Sequence, residues 1–146
     1  MHTPQAIKLE SWIADLLEQP LTARLATANR NTLQPHVVPV WFEWDGEAVW
    51  ISSFDSTRKM RDLEGNPLVS FVVDVEGDNR NPRGVLFEGS VQVIADPAVV
   101  APRSTSIYER YLGIDGAREP GPASWAVDPE NRLIRLIPVK VFTWGG

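Results

Sequence analysis

Val49-Trp50-Ile51-Ser52-Ser53-Phe54-Asp55-Ser56-Thr57-Arg58-Lys59-Met60-Arg61-Asp62-Leu63 contains a change of period. A strand-like apolar run gives way to a helical stretch, with Ser56 as the expected N-cap and Gly65-Asn66-Pro67 as the stop. This helix opens with the wrong charge. Exposed N–H groups give a helix start about half a positive charge, which favours Asp or Glu there. The first turn carries Arg58 and Lys59 instead, with Arg61 just behind. Cations on the positive end of a dipole fit an anion held between them, because a helix N-terminus is already a phosphate site. The alternative is that these side chains splay into solvent, as most charge runs do.

Upstream of this stretch, Thr3-Pro4 marks a helix start, and Leu9, Trp12, Ile13, Leu16 and Leu17 follow at helical spacing until Gln19-Pro20. From Leu21 the period becomes two. Thr22–Ala28 and Gln34–Trp44 are expected strands around an Asn29-Arg30-Asn31 turn, and Asp45-Gly46 is a hairpin signal leading into a third strand, Ala48–Ser53. Downstream lie a Val- and Phe-rich strand at Leu68–Val75, a polar loop over 76–82, and a fifth strand at Gly84–Ala95 stopped by Asp96-Pro97. An amphipathic helix is expected over Ala98–Leu112, with Ile107, Tyr111 and Leu112 inward, then a Gly- and Pro-rich loop over 113–122. Arg132–Trp144 closes the chain as a sixth strand, where Pro138 implies a bulge or an edge. Strands with short interspersed helices and little βαβ rhythm predict a mainly β protein built as an antiparallel barrel. No repeat or linker divides the chain, so residues 1–146 are expected to form one domain.

Composition narrows the function. A hydrophobic content of 43% in 146 residues supports a genuine core. Without cysteine there is no disulfide framework, thiolate metal site or cysteine nucleophile, which fits a cytoplasmic protein. No stretch approaches the ~20 apolar residues of a membrane span, and a net charge of −5 argues against nucleic-acid binding. The basic helix start is therefore not a product of general composition.

Side-chain catalysis has no outstanding candidate. Of the two histidines, His2 lies near the terminus and His36 follows Pro35 at a strand entrance, so neither suggests a metal site. There is no Gly-x-Ser-x-Gly elbow, and the glycines form no phosphate-binding loop motif. No catalytic residue is assigned, and an enzyme of this composition would leave the chemistry to a cofactor. Pro39 is the second oddity, since it interrupts an otherwise well-paired run and belongs at a bulge or an edge. A flat ring could pack on that backbone, with its phosphate reaching Arg58 and Lys59; the alternative is an ordinary edge strand. Trp41 and Trp44 should face opposite sides of their strand. Trp12 and Trp50 are expected in a core or an interface, and Trp125 either covers a pocket or packs inside.

The ordered set Ala26-Thr27, Pro35-His36-Val37-Val38-Pro39-Val40-Trp41-Phe42, Asp45-Gly46, Ser56-Thr57-Arg58-Lys59-x-x-Asp62-Leu63, Asn66-Pro67, Arg132–Pro138 and Thr143-Trp144 resembles the pyridoxamine 5'-phosphate oxidase-like split-barrel family. The likeness runs from about Leu21 to Trp144. It implies a six-stranded, Greek-key split barrel, a homodimer, a small-molecule substrate, and FMN or coenzyme F420 bound between subunits. Position by position, it implies that Arg58 and Lys59 grip the cofactor phosphate and that Thr57 precedes them as the small hydroxyl residue. Ser52 and Ser53 fall beside the ribityl chain, and Val38, Pro39 and Val40 fall along the ring. The Val-Val-Pro-Val-Trp-Phe-x-Trp-Asp-Gly strand and the closing Thr-Trp resemble the deazaflavin-using subgroup. Pyridoxamine phosphate oxidases devote further cations to their substrate, some near the C-terminus; here Gly146 directly follows the last strand and the remaining cations are scattered, so weak or no pyridoxamine phosphate oxidation is expected.

Overall fold

The computed structural model describes residues 7–77 and 81–145. The expected helix start at Thr3-Pro4, and His2, lie outside the described residues. Helix α1 spans Ser11–Glu18 and is followed by strands β1 (Ala23–Ala28), β2 (Pro35–Val40), β3 (Glu43–Trp44) and β4 (Val49–Phe54). Helix α2 (Arg58–Gly65), β5 (Leu68–Val75) and β6 (Arg83–Ile94) come next. Helices α3 (Pro97–Ala117) and α4 (Pro120–Val127) and strand β7 (Asn131–Trp144) complete the chain.

One antiparallel sheet of seven strands runs in the order β2-β1-β5-β6-β7-β4-β3. The sequence predicts six, because 34–44 alternates as a single strand. The structure divides it at Trp41-Phe42, and the two halves lie at opposite ends of the hydrogen-bonded order. A segment this short reaches both edges only if the sheet curls back on itself. That curl makes the split barrel, and residues 41–42 bridge its seam.

The bridge is held from outside the sheet. Tyr111 Oη accepts from the Phe42 N–H at 3.2 Å and donates to the Leu21 carbonyl at 2.7 Å, while Arg110 Nε donates to the Phe42 carbonyl at 3.0 Å. Backbone groups that leave a ladder thereby keep partners. Arg110 also reaches the carbonyls of Leu17, Glu18 and Gln19 and so closes the C-terminal end of α1.

Phe42 is fully buried at the centre of the curl, edge-on to Phe71 at 5.1 Å, and Phe71 and Trp44 both pack on Phe87. Leu25, Ile51 and Leu136 surround them, and Ile13, Leu16 and Leu17 of α1 plug the open end. A second core lies outside the curl, where Val100, Ile107 and Tyr108 of α3 pack on Trp50 and Leu133. β4 is therefore buried on both faces. Val49 and Ile51 face the barrel while Trp50 faces α3, as a period of two requires. Trp41 and Trp44 separate in the same way, with Trp44 packed on the barrel core and Trp41 on the outer one.

Both prolines find permitted places. β2 is an edge strand with an unbroken register, so Pro39 sits at an edge and not in a bulge. Pro138 lies in a central strand at a register slip, where Glu88 pairs Lys140 but Gly89 pairs Pro138.

Three further expectations are corrected. The N-cap of α2 is Thr57, not Ser56, and its side chain makes no capping bond. Leu112 is exposed, and the inward stripe of α3 is Val100, Ser104, Ile107 and Tyr108. The expected loop over 113–122 is largely helical. Gly113, at φ 78°, breaks α3 into two pieces, and Pro120 starts α4.

Candidate functional site

Between the bridge, β4, α2 and α3 lies a groove with two adjoining lobes of about 430 and 260 Å³. Trp41, Ser52, Lys59 and Tyr108 line both lobes. The larger adds Thr22, Pro39, Val40 and Ile107. The smaller adds Ser53, Phe54, Thr57, Trp125 and Asn131. Such a volume with a few convergent polar groups suits a small molecule.

Local folding explains each position. Ser52 points to α3 because Trp50 does, and Ser53 points the other way, toward the start of α2. Thr57 sits in the turn joining β4 to α2, where its hydroxyl donates to the Phe54 carbonyl at 3.0 Å and lies 3.2 Å from Ser53 Oγ. Lys59 is in the first turn of α2 and half-buried, with Nζ 3.4 Å from Thr57 Oγ1. Among the described residues no carboxylate forms an ion pair with it. Burial lowers its pKa below the ordinary lysine value. An amine at the positive end of a helix, half out of water and without a counter-ion, lacks an anion. The hydroxyls of Ser53 and Thr57 beside it, with the N–H groups of the first turn of α2, are polar groups that a phosphate or a polyol chain contacts, so these residues fit a phosphorylated, flavin-type cofactor.

The sequence-predicted residues do not all converge. Lys59, Thr57, Ser52, Ser53, Pro39 and Val40 line the groove. Arg58 is exposed and lines neither lobe, and Val38 packs against the barrel core. His36 lies on the edge strand opposite Thr27, away from the groove.

Sequence reasoning missed Tyr108 and Asn131. Tyr108 stands on the inward stripe of α3, edge-to-face with Trp125 at 5.8 Å. Asn131 begins β7 and is 3% exposed. The one available signal was helical spacing from Val100 through Ser104 to Ile107 and Tyr108, which the polar Ser104 conceals. Trp125 covers the smaller lobe from α4. No carboxylate or imidazole lines either lobe among the described residues.

Asp62 also matters, one turn beyond Lys59. It is buried and accepts from Thr27 Oγ1 at 2.8 Å, pinning α2 to β1. A larger concavity of about 550 Å³ lies on the outer face of the sheet, lined by Ala26, Leu68, Ser70, Gly89 and Val139 among others. Beside Ser70 its lining carries Thr27, Asn66, Glu88, Ser90 and Lys140, and the exposed Leu68 and Val139 give it the character of a contact surface.

No helix among the described residues is long and apolar enough to cross a membrane. No curated protein matches the chain. Among solved structures, the conserved hypothetical protein Rv2991 from Mycobacterium tuberculosis has a TM-score of 0.79 at 26% identity, covering 99% of this chain and 89% of that one. An F420 reductase has a TM-score of 0.73 at 27% identity, covering 92% and 98%. An FAD-binding protein from Mesorhizobium loti shares the fold, with a TM-score of 0.69 at 21% identity over 93% and 94%. The family model for pyridoxamine 5'-phosphate oxidase matches residues 9–145, and the chain belongs to that family.

Proposed function

We propose that this protein is an oxidoreductase that uses coenzyme F420 as a reductant for a small molecule, with the cofactor held in the groove. The observation that carries this reading is Lys59, a half-buried amine at a helix start with no counter-ion among the described residues. Lys59, Thr57 and the first N–H groups of α2 hold the cofactor phosphate, and Arg58 adds its charge from the solvent side. Ser53 holds the polar chain, Ser52 lines the wall beside it with its proton taken by Asn131, and Pro39 and Val40 provide a wall for the ring, with Val38 supporting them from the core. When bound, the cofactor supplies hydride transfer. The protein excludes water with Trp41 and Trp125, and among the described residues no carboxylate or histidine lines the groove to act as acid or base. Similarity to the F420 reductase over nearly the full length of both chains supports the deazaflavin over FMN.

Two copies are proposed to pair through the outer sheet face, where Val37, Leu68 and Val139 are more than half exposed. Visible-absorbance titration of the purified protein with coenzyme F420 and with FMN tests the assignment. Tighter binding of coenzyme F420, and its turnover when reduced, is the expected result. Tighter binding of FMN moves the protein to the FMN-dependent branch. Binding without turnover of either makes it a carrier, and binding of neither removes the reading.

A further inference from the structure

Beneath the groove, Ser52, Ser104 and Asn131 close a ring of hydrogen bonds, and the direction of every bond follows from one fixed point. The Ala126 carbonyl only accepts, so the Asn131 atom 3.3 Å away is Nδ2, a donor. Nδ2 also donates to Ser104 Oγ at 2.9 Å. Asn131 Oδ1 then faces Ser52 and takes its hydroxyl proton at 2.8 Å. Ser104, fully buried, directs its own proton to Ser52 Oγ at 3.1 Å. All the ring's protons are committed, and Ser52 Oγ has one acceptor position left.

Tyr108 Oη lies 3.2 Å from Ser52 Oγ. Ser52 has no proton to give, so the phenol is the donor in that bond. Tyr108 is 7% exposed and borders both lobes; Ser52 and Ser104 are the hydroxyls beside its oxygen, and the proton of each is committed within the ring. The phenol oxygen has one partner in Ser52, and the acceptor position that remains belongs to a side chain that borders the groove.

We propose that Tyr108 selects the occupant of the groove as a hydrogen-bond acceptor, so that the bound molecule must bring an N–H or O–H to the phenol oxygen. This rests on the reading of the groove as a ligand site. Lys59 takes an anion and Tyr108 takes a donor, so the ligand class is an anionic molecule with imide or hydroxyl protons. FMN and coenzyme F420 both qualify. Tyr108 is not a proton source in this arrangement. A tyrosinate would need Ser52 to turn its proton away from Asn131, which breaks the ring, and burial raises the phenol's pKa above the ordinary tyrosine value.

The chain has two tyrosines, so subtracting the Raman spectrum of Tyr108→Phe isolates the Tyr108 ring doublet, whose intensity ratio reports whether a phenol donates or accepts. Without ligand the ratio should be that of a donor; saturation with FMN or coenzyme F420 should move it toward a donor that also accepts. In parallel, fluorescence titration through Trp41 and Trp125 should show Tyr108→Phe binding about tenfold more weakly, the scale of one hydrogen bond. An accepting ratio without ligand, an unchanged doublet at saturation, or an unchanged affinity in Tyr108→Phe overturns the proposal. If Tyr108→Phe fails to fold, Tyr111→Phe leaves Tyr108 as the sole tyrosine for the same spectra. If neither cofactor binds the parent protein, the functional reading fails separately, while the ligand-free ratio still decides the direction of the hydroxyl.

Discussion

Replacing Lys59 by Met should make the empty protein slightly more stable and cofactor binding much weaker. Among the described residues the amine makes one hydrogen bond, to Thr57 Oγ1 at 3.4 Å, and it opposes the dipole of a helix whose first turn carries no acid. Methionine keeps most of the aliphatic stem and removes the charge. Relief of the dipole conflict contributes about 0.3–1 kcal/mol, which raises Tm by about 1–4 °C for a chain of this size. A charge-assisted bond to phosphate contributes about 1.5–3 kcal/mol, so affinity should fall by roughly 10- to 150-fold.

Thermal melts read both effects together. With cofactor at about 100 times the parent Kd, the parent gains about 2.7 kcal/mol, whereas a variant bound 100-fold more weakly gains about 0.4 kcal/mol. The pH dependence supplies an independent sign. Burial lowers the Lys59 pKa below 10.5, so between the folded and unfolded values the unfolded chain binds more protons and the empty protein gains stability as pH rises. Phosphate affinity changes in the opposite direction across that window, because the amine loses the proton that attracts the anion. The Met variant should show neither slope. A variant that is destabilised when empty, yet is stabilised by cofactor as much as the parent, refutes the phosphate assignment.

The buried ring supplies a stability test: Asn131→Ala takes the acceptor from the Ser52 proton and the donor from Ser104 Oγ and the Ala126 carbonyl, and should cost about 1–3 kcal/mol in urea unfolding. Sedimentation at low micromolar concentration should give twice the 16.3 kDa chain mass, and charges introduced at Leu68 and Val139 together should yield a monomer. Pyridoxamine 5'-phosphate oxidation by FMN-loaded protein should stay well below the usual enzyme scale of about 1 s⁻¹, because Lys59 is the one cation that lines the groove among the described residues. A second phosphate needs its own clamp, so turnover at that scale would show that a partner subunit supplies one.

Period-two runs made β1, β4, β5 and β6 legible within a residue or two, because burying one or both faces of a sheet imposes that pattern wherever a strand lies. The break at Trp41-Phe42 was not legible. Alternation continues through it, and what ends the strand is the opposite edge of the curled sheet, brought close by the tertiary fold. The helices after Gly113 were hidden for another reason. Gly and Pro read as loop markers over 113–122, but Gly113 only breaks a helix and Pro120 begins one. At the site, the charge anomaly found Lys59 because a cation at a helix start violates a local rule. Tyr108 and Asn131 violate none. Their importance comes from Ser104 and Ala126, which are remote from Ser52 in sequence, so no window of sequence contains the ring.

The same reasoning separates Lys59 from Arg58, which the sequence presents as equivalents. Lys59 and Arg58 stand three and four residues before Asp62 and so flank it on opposite sides of the α2 surface. Asp62 is buried against Thr27 at 2.8 Å, and that bond fixes the rotation of the helix about its axis. With Asp62 turned in toward β1, Lys59 is carried to the edge of the groove and half-buried, and Arg58, one residue earlier, is carried out to solvent. The exposed cation is screened by water and salt and contributes little fixed geometry. The half-buried one is screened less, so an anion bound beside it is held more strongly. A buried bond between Thr27 and Asp62, neither of which lines the larger or the smaller lobe, therefore decides which of two adjacent basic residues serves the site.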